Sequence, residues 1–268
     1  EAGFLAPGRR VLASSQAHYT HARLCDVLGI PFTALPVDAR ARMELGALEA
    51  ELARGDVGTV VATLGTTALG AVDPLPDLLR LRERFGFRLH VDAAYGGYFR
   101  LAEGLEPQTA AAFAAIRDAD SCVIDPHKHG LQPYGCGCVL FRDPTVGRFY
   151  RHDSPYTYFS SAELHLGEIS LECSRAGASA VALWATQRLL PLARGGEFAA
   201  GLEACRDAAL DLHARIAATP ALRAIAPPEL DIVAWAPAGT RASEIARRSR
   251  RLFAAAARRG LHLSVAEL

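Results

Sequence analysis

The stretch Ser121–Lys128, SCVIDPHK, decides the fold when it is set beside His90–Gly97, HVDAAYGG. Each is an apolar run that stops abruptly at acidic and polar residues. RLHVDAA and SCVID both have the β-branched, apolar character of a strand buried in a parallel sheet. A parallel strand delivers its carboxyl end to the crevice where ligands sit in open α/β sheets. Asp92 and the segment Asp125–Lys128 therefore arrive at one edge of one sheet, which brings a carboxylate and an amine to a single pocket.

A buried lysine beside a strand-end aspartate suggests Schiff-base chemistry. Desolvation penalises the charged ammonium and frees the amine as a nucleophile. Pyridoxal phosphate needs such a lysine to hold its aldehyde. It also needs an acid to keep its pyridine nitrogen protonated, so that the ring draws electrons from the reacting carbon. Lys128 and Asp92 suit those two tasks. Spacing alone leaves open an ordinary strand-end aspartate paired with a surface lysine.

HVDAAYGG followed by ADSCVIDPHKHGLQPYG resembles the pyridoxal-phosphate-dependent group II amino-acid decarboxylases, which include the glutamate, aromatic amino-acid, tyrosine and diaminobutyrate decarboxylases. The resemblance runs from about Val11 to the last helix and rests on several ordered motifs. It implies an α/β chain of the type I, aspartate aminotransferase-like fold, with a mostly parallel central sheet flanked by helices and part of a small C-terminal α/β domain. It implies pyridoxal 5'-phosphate as cofactor, a small-molecule L-amino acid as substrate, an amine and carbon dioxide as products, and a homodimer. By the same resemblance Lys128 holds the cofactor aldehyde, Asp92 partners the pyridine nitrogen and Ala94 packs on one face of the ring. His127 reaches the phosphate, with Asp125 standing where the family often has asparagine.

Outward from these strands, the chain keeps an α/β rhythm. RVLAS (Arg10–Ser14) predicts a strand. SSQAHYTHARLCDVLGI predicts a helix with Ala22, Cys25 and Leu28 on its apolar side and Gly29 as C-cap. His18 stands at its entrance, where position alone suggests a cap. The resemblance instead has the histidine of SxxAH stacking on the cofactor ring opposite Ala94, close enough to lend a proton. His21 matches nothing in that pattern and is expected at the surface. VGTVVATLGTT predicts a buried strand opening into a turn. Thr67 is either a cap or, by resemblance, a hydrogen-bond partner of the ring hydroxyl or substrate. The turn carries neither a dinucleotide fingerprint nor a Walker lysine. DPLPDLLRLRERFGF predicts a helix begun by prolines and closed by Gly86, and an alanine-rich helix is expected from Pro107 to Arg117. Strand and helix in this alternation predict a parallel sheet.

After Lys128, YGCGCVLF predicts an antiparallel strand, Cys136–Phe141, beside the lysine strand. RHDSPYTYFSSAELHLGEISLECSR lacks periodicity and predicts a long loop of the kind kept for function. Family members carry a mobile loop here with a proton-donating tyrosine. Tyr158 stands at about the matching offset, Tyr156 is the near alternative, and both could be interface aromatics. Arg175 fits a helix start or a neighbour of the partner subunit's site. Two long helices, around LECSRAGASAVALWATQRLL and GEFAAGLEACRDAALDLHARIAA, precede a linker at Pro227 and Pro228. ELDIVAWAP and LHLSVA predict strands around a helix, RASEIARRSRRLFAAAARRG, whose arginines form a solvated face rather than a nucleic-acid site. The expected domains are 1–195, a large cofactor-binding domain, and 196–268, a connector helix with a partial small domain.

Composition narrows the reading. With 268 residues, half of them hydrophobic, and zero formal net charge, a sizeable core is expected and no polyanion partner is. No run of eighteen apolar residues suggests a membrane span. The six cysteines lack CxxC spacing, so Cys136 and Cys138 read as thiols rather than metal ligands, and a reduced, cytoplasmic protein is expected. Family members extend beyond both ends, so this sequence reads as an interior piece. A sphingosine-phosphate-lyase-type aldehyde-lyase is the alternative activity, since KHGLQPYG is similar to that branch as well. A degenerate unit acting only by dimerising is the non-enzymatic alternative, and intact Lys128, Asp92 and His18 argue against it.

Overall fold

The computed structural model describes residues 9–149, 151 and 177–266. Its centre is a six-stranded sheet of β1 (Arg10–Ser14), β2 (Phe32–Leu35), β3 (Val57–Thr63), β4 (Arg88–Asp92), β5 (Ser121–Ile124) and β6 (Cys138–Phe141) in the spatial order 2-1-3-4-5-6. β1 to β5 are mutually parallel and β6 closes one edge antiparallel to β5. Strand order reverses between β1 and β3, so the crevice at their carboxyl ends is the expected ligand position. His18 follows β1 and Thr67 follows β3, one on each side of that reversal.

The helices obey local rules. α1 (Thr20–Val27) ends before Gly29, whose φ of 65° only glycine adopts freely. α2 (Leu45–Leu52) is capped by the Glu44 carboxylate, which accepts from the backbone N–H groups of Gly46 and Ala47. α3 (Leu75–Phe85) carries proline and Asp77 in its first turn, Arg82 and Arg84 in its last, and stops at left-handed Gly86. α4 (Pro107–Ala114) tightens into a 3-10 turn over Ala115–Asp118, short of the expected α-helical end. α5 (Ala178–Leu189) and α6 (Glu197–Ala217) follow, then α7 (Ala242–Ala257).

One apolar cluster fills the molecule's centre. Leu12, Val60, Ala62, Leu89 and Val91 supply the sheet face, Leu48, Leu75, Leu78 and Phe113 the helices, and Phe198, Leu202 and Leu230 join from beyond residue 196. Fully burying each large side chain contributes about 1.5–3 kcal/mol.

Three expectations need correction. ELDIVAWAP forms a strand only at β8 (Trp235–Pro237), paired antiparallel with an unanticipated β7 (Leu222–Ala224). Its first half instead follows side-chain contacts made by Glu229, Leu230 and Asp231. LHLSVA forms no strand, having no ladder partner among the described residues. The strand after Lys128 starts at Cys138, not Cys136, because the Cys136 carbonyl is taken by His127.

Candidate active site

Asp92 ends β4 and Asp125–Lys128 follow β5, its parallel neighbour, so the topology brings both to one sheet edge as the sequence implies. Asp92 is buried, and its two oxygens are separately engaged. The Ala94 N–H donates to Oδ1 at 3.1 Å, and His21 Nε2 lies 2.8 Å from Oδ2. Burial pushes this carboxyl upward, but the hydrogen bond and charge of His21 outweigh it and hold Asp92 below the usual carboxylate range. The group is thus a retained anion inside the protein. His21 is not a surface residue: its side chain is 18% exposed and faces the sheet. Beneath it, His90 Nδ1 pairs with Ser121 Oγ at 2.8 Å, and burial with the nearby His21 pushes His90 down to about 4.

Lys128 departs from expectation. Its side chain is 35% exposed, and Nζ lies 3.1 Å from Asp125 Oδ2. Past the end of β5 the chain is no longer sandwiched between layers, so the amine stands in the open crevice. The turn Asp125–Lys128, closed by the Lys128 N–H donating to the Asp125 carbonyl at 2.9 Å, makes Asp125 its nearest carboxylate. His127 Nε2 lies 3.6 Å from the same Asp125 oxygen, while its Nδ1 donates to the Cys136 carbonyl at 2.9 Å and its ring stacks on exposed Tyr134. Lys128 is also the sole lysine in the chain; every other basic side chain of the Lys/Arg class is arginine.

His18 is partly buried just ahead of α1, whose N-cap is Tyr19, and its Nδ1 accepts the Thr20 N–H at 3.3 Å. Ala94 is half-buried, and Thr67 is exposed at the crevice. Thr66 rather than Thr67 does the turn's structural work, its buried hydroxyl accepting from the Ala71 N–H at 3.0 Å. The turns are held close. A Cβ on Gly96 would run into the Leu64 carbonyl oxygen, and one on Gly130 into Tyr98 and the Pro126 backbone. Tyr156, Tyr158 and Arg175 lie outside the described residues. Among the described residues no His, Cys, Asp and Glu cluster could hold a metal, and no helix is long and apolar enough to cross a membrane.

The sequence profile of the "Pyridoxal-dependent decarboxylase conserved domain" matches residues 7–236. The chain belongs to this family. It is 34% identical over 223 residues to an L-tyrosine decarboxylase of Enterococcus faecium, covering 68% of this chain and 36% of that one. It is 32% identical over 185 residues to an aspartate 1-decarboxylase of Aliivibrio fischeri, covering 63% and 32%. The crystal structure of mouse CSAD in apo form superposes with a TM-score of 0.81 over 97% of this chain and 58% of that one, at 24% identity. The chain thus spans between about a third and a half of the length of the curated relatives it matches. The mostly parallel sheet flanked by helices is the type I fold that the sequence implies.

The residues present fit the family's pyridoxal cofactor on their own chemistry. The site offers an accessible primary amine, a buried anion and a small residue, Ala94, that leaves room for a flat ring. Thr63, paired in register with Asp92 and therefore on the same sheet face, has a buried hydroxyl with no hydrogen-bond partner among the described residues. An unpaired buried polar atom beside the anion suits a site built for a polar ligand. Two participants escaped the sequence reading. His21 lies in the first turn of α1, at the carboxyl-end edge that β1 reaches, and its partner Asp92 is distant in sequence. His129 follows Lys128 directly and has its partner, Asp231, in the distant linker segment.

Proposed function

We propose that this chain carries the cofactor-binding core of a pyridoxal-phosphate-dependent decarboxylase, which removes the α-carboxylate of an L-amino acid to give an amine and carbon dioxide. The observation that carries the reading is the sole lysine of the chain, standing in the crevice at one strand end while a buried, ionised aspartate ends the adjacent parallel strand. Arginine cannot substitute for lysine as an amine nucleophile, since its guanidinium stays protonated. A chain that uses arginine everywhere else and lysine here needs an amine at this place. Family membership favours decarboxylation over the aldehyde-lyase alternative.

Bound pyridoxal phosphate supplies an aldehyde that exchanges amines and a ring that accepts the electron pair left when carbon dioxide departs. The protein's residues do the rest. Lys128 holds the cofactor and reclaims it after turnover, with the Asp125 carboxylate 3.1 Å away as the ion-pair partner of the free amine. Asp92, fixed by His21 and the Ala94 N–H, keeps the proton on the ring nitrogen. Ala94 and His18 flank the ring plane, Thr67 offers a hydroxyl at the crevice, and His127 with Asp125 stands toward the phosphate. His18 and Tyr158 are the candidate proton donors to the reacting carbon. A homodimer in the cytoplasm, with residues 1–195 as the large domain and 196–268 as connector and partial small domain, completes the proposal.

Borohydride reduction tests it directly. After incubation with pyridoxal phosphate, reduction should fix the cofactor on Lys128, found as a mass-shifted peptide, with a visible absorption band beforehand. Lys128→Ala should abolish both; a variant that keeps the band would refute the assignment.

A further inference from the structure

The segment after Pro227 and Pro228 returns to the large sheet and touches three turns of the site in succession. The buried Glu229 accepts from Arg42 Nε at 2.9 Å, Arg42 Nη2 at 2.8 Å and the Thr109 hydroxyl at 2.7 Å, and the Val72 N–H reaches it at 3.4 Å. Leu230 is fully buried, wedged so closely that a Cβ on Gly65 or Gly96 would stand 3.2 or 3.1 Å from its Cδ1. Gly65 begins the turn that carries Thr67, and Gly96 follows Ala94 and Tyr95.

Asp231 completes the set. Its Oδ1 accepts the Tyr95 hydroxyl at 2.7 Å and its Oδ2 lies 3.0 Å from His129 Nε2. The other ring nitrogen of His129 lies 2.9 Å from the Tyr95 carbonyl oxygen, which can only accept, so Nδ1 carries a hydrogen. The Tyr95 and His129 rings meet edge to face at 4.5 Å, and Phe99 packs on His129 at 5.0 Å. Burial raises the Asp231 carboxyl, but the hydrogen bonds from His129 and Tyr95 outweigh that and hold it low. Burial together with Asp231 raises the Tyr95 hydroxyl, which therefore stays a donor.

Tyr95 is the residue after Ala94, and His129 the residue after Lys128. One carboxylate thus grips the two turns that carry the ring-facing alanine and the lysine. We propose that Asp231 is a positioning residue, acting through Tyr95 and His129 to set the placement of Lys128 relative to Asp92 and Ala94. The functional meaning of that placement rests on the decarboxylase reading above.

The test uses the full native chain and a readout that needs no cofactor. Acylation of Lys128, the one lysine of this 268-residue sequence, by a soluble amine-reactive acylating reagent can be followed at its own peptide by mass spectrometry across pH. Asp231→Ala should shift the rate profile of Lys128 by at least about threefold, and should weaken pyridoxal phosphate binding about tenfold or more, the scale of one lost charge-assisted hydrogen bond. Asp231→Asn, which keeps one acceptor, should recover part of both. A folded Asp231→Ala protein with the wild-type acylation profile overturns the proposal. Should that variant not fold, His129→Gln breaks the same link and is read in the same way. Borohydride attachment to wild-type protein is scored separately. A changed acylation profile without attachment would leave the positioning role standing and remove the cofactor reading; attachment with an unchanged profile would do the reverse.

Discussion

Two buried groups should give this protein opposing pH dependences that nearly cancel. Asp73 is completely buried and accepts the Met43 and Thr63 N–H groups, each at 2.7 Å; burial pushes it from 3.8 up to about 7. Its folded form therefore favours the proton, so its contribution to stability is complete below about pH 4 and lost as pH rises through about 7. His90 runs the other way, pushed from 6.5 down to about 4 chiefly by burial. Its contribution is complete above about 6.5 and lost as pH falls through about 4. Each pH unit carries up to about 1.4 kcal/mol per proton, so across the shared window each group changes stability by about 3 kcal/mol, with opposite sign. Asp73→Asn should expose the His90 slope, with stability rising as pH goes from about 4.5 to 6.5; His90→Asn should expose the falling slope of Asp73. Urea midpoints at several pH values within the window measure this. Asp73→Asn also loses an acceptor for one of two buried N–H groups, costing about 1–3 kcal/mol at every pH, so the slope is the diagnostic quantity. Stability curves that run parallel for wild type and both variants would refute the reasoning.

Two more changes probe the site and its frame. Asp92→Asn should lower turnover by about a hundredfold while changing cofactor affinity far less, because the anion acts on the ring's electronics more than on holding it; unchanged kcat in a steady-state assay would remove that role. Arg42→Met leaves Glu229, whose side chain is 3% exposed, as an unpaired buried charge. The cost should be about 3–5 kcal/mol, or about 6–10 °C in Tm for a chain of this size. Adding Glu229→Leu should restore much of that loss by calorimetry, and a double variant no more stable than the single would contradict the account.

What could be read in the sequence was local, and what could not was distant. Strands and helices are set by features within a few residues of one another, such as Gly86 after α3 or the apolar run of β3. Parallel strands then place their ends together without further information, so Asp92 and Lys128 meet at one edge by topology alone. How each is held is a different kind of fact. The partner of Asp92 is His21, 71 residues earlier, and the grip on the Lys128 turn comes from Asp231, 102 residues beyond His129. No periodicity links such positions; the pairing exists only once α1 and the linker segment have packed. The failed strand at Glu229–Val233 shows the same cause from the other direction. ELDIV has strand-like composition, yet its polar side chains are held by Arg42, Thr109, Tyr95 and His129, and the Glu229 carbonyl accepts from Arg206 Nε at 3.0 Å, which takes a backbone acceptor away from any ladder. A carboxylate placed on each side of a buried leucine, directly after two prolines, is a pattern that a strand facing solvent would not need.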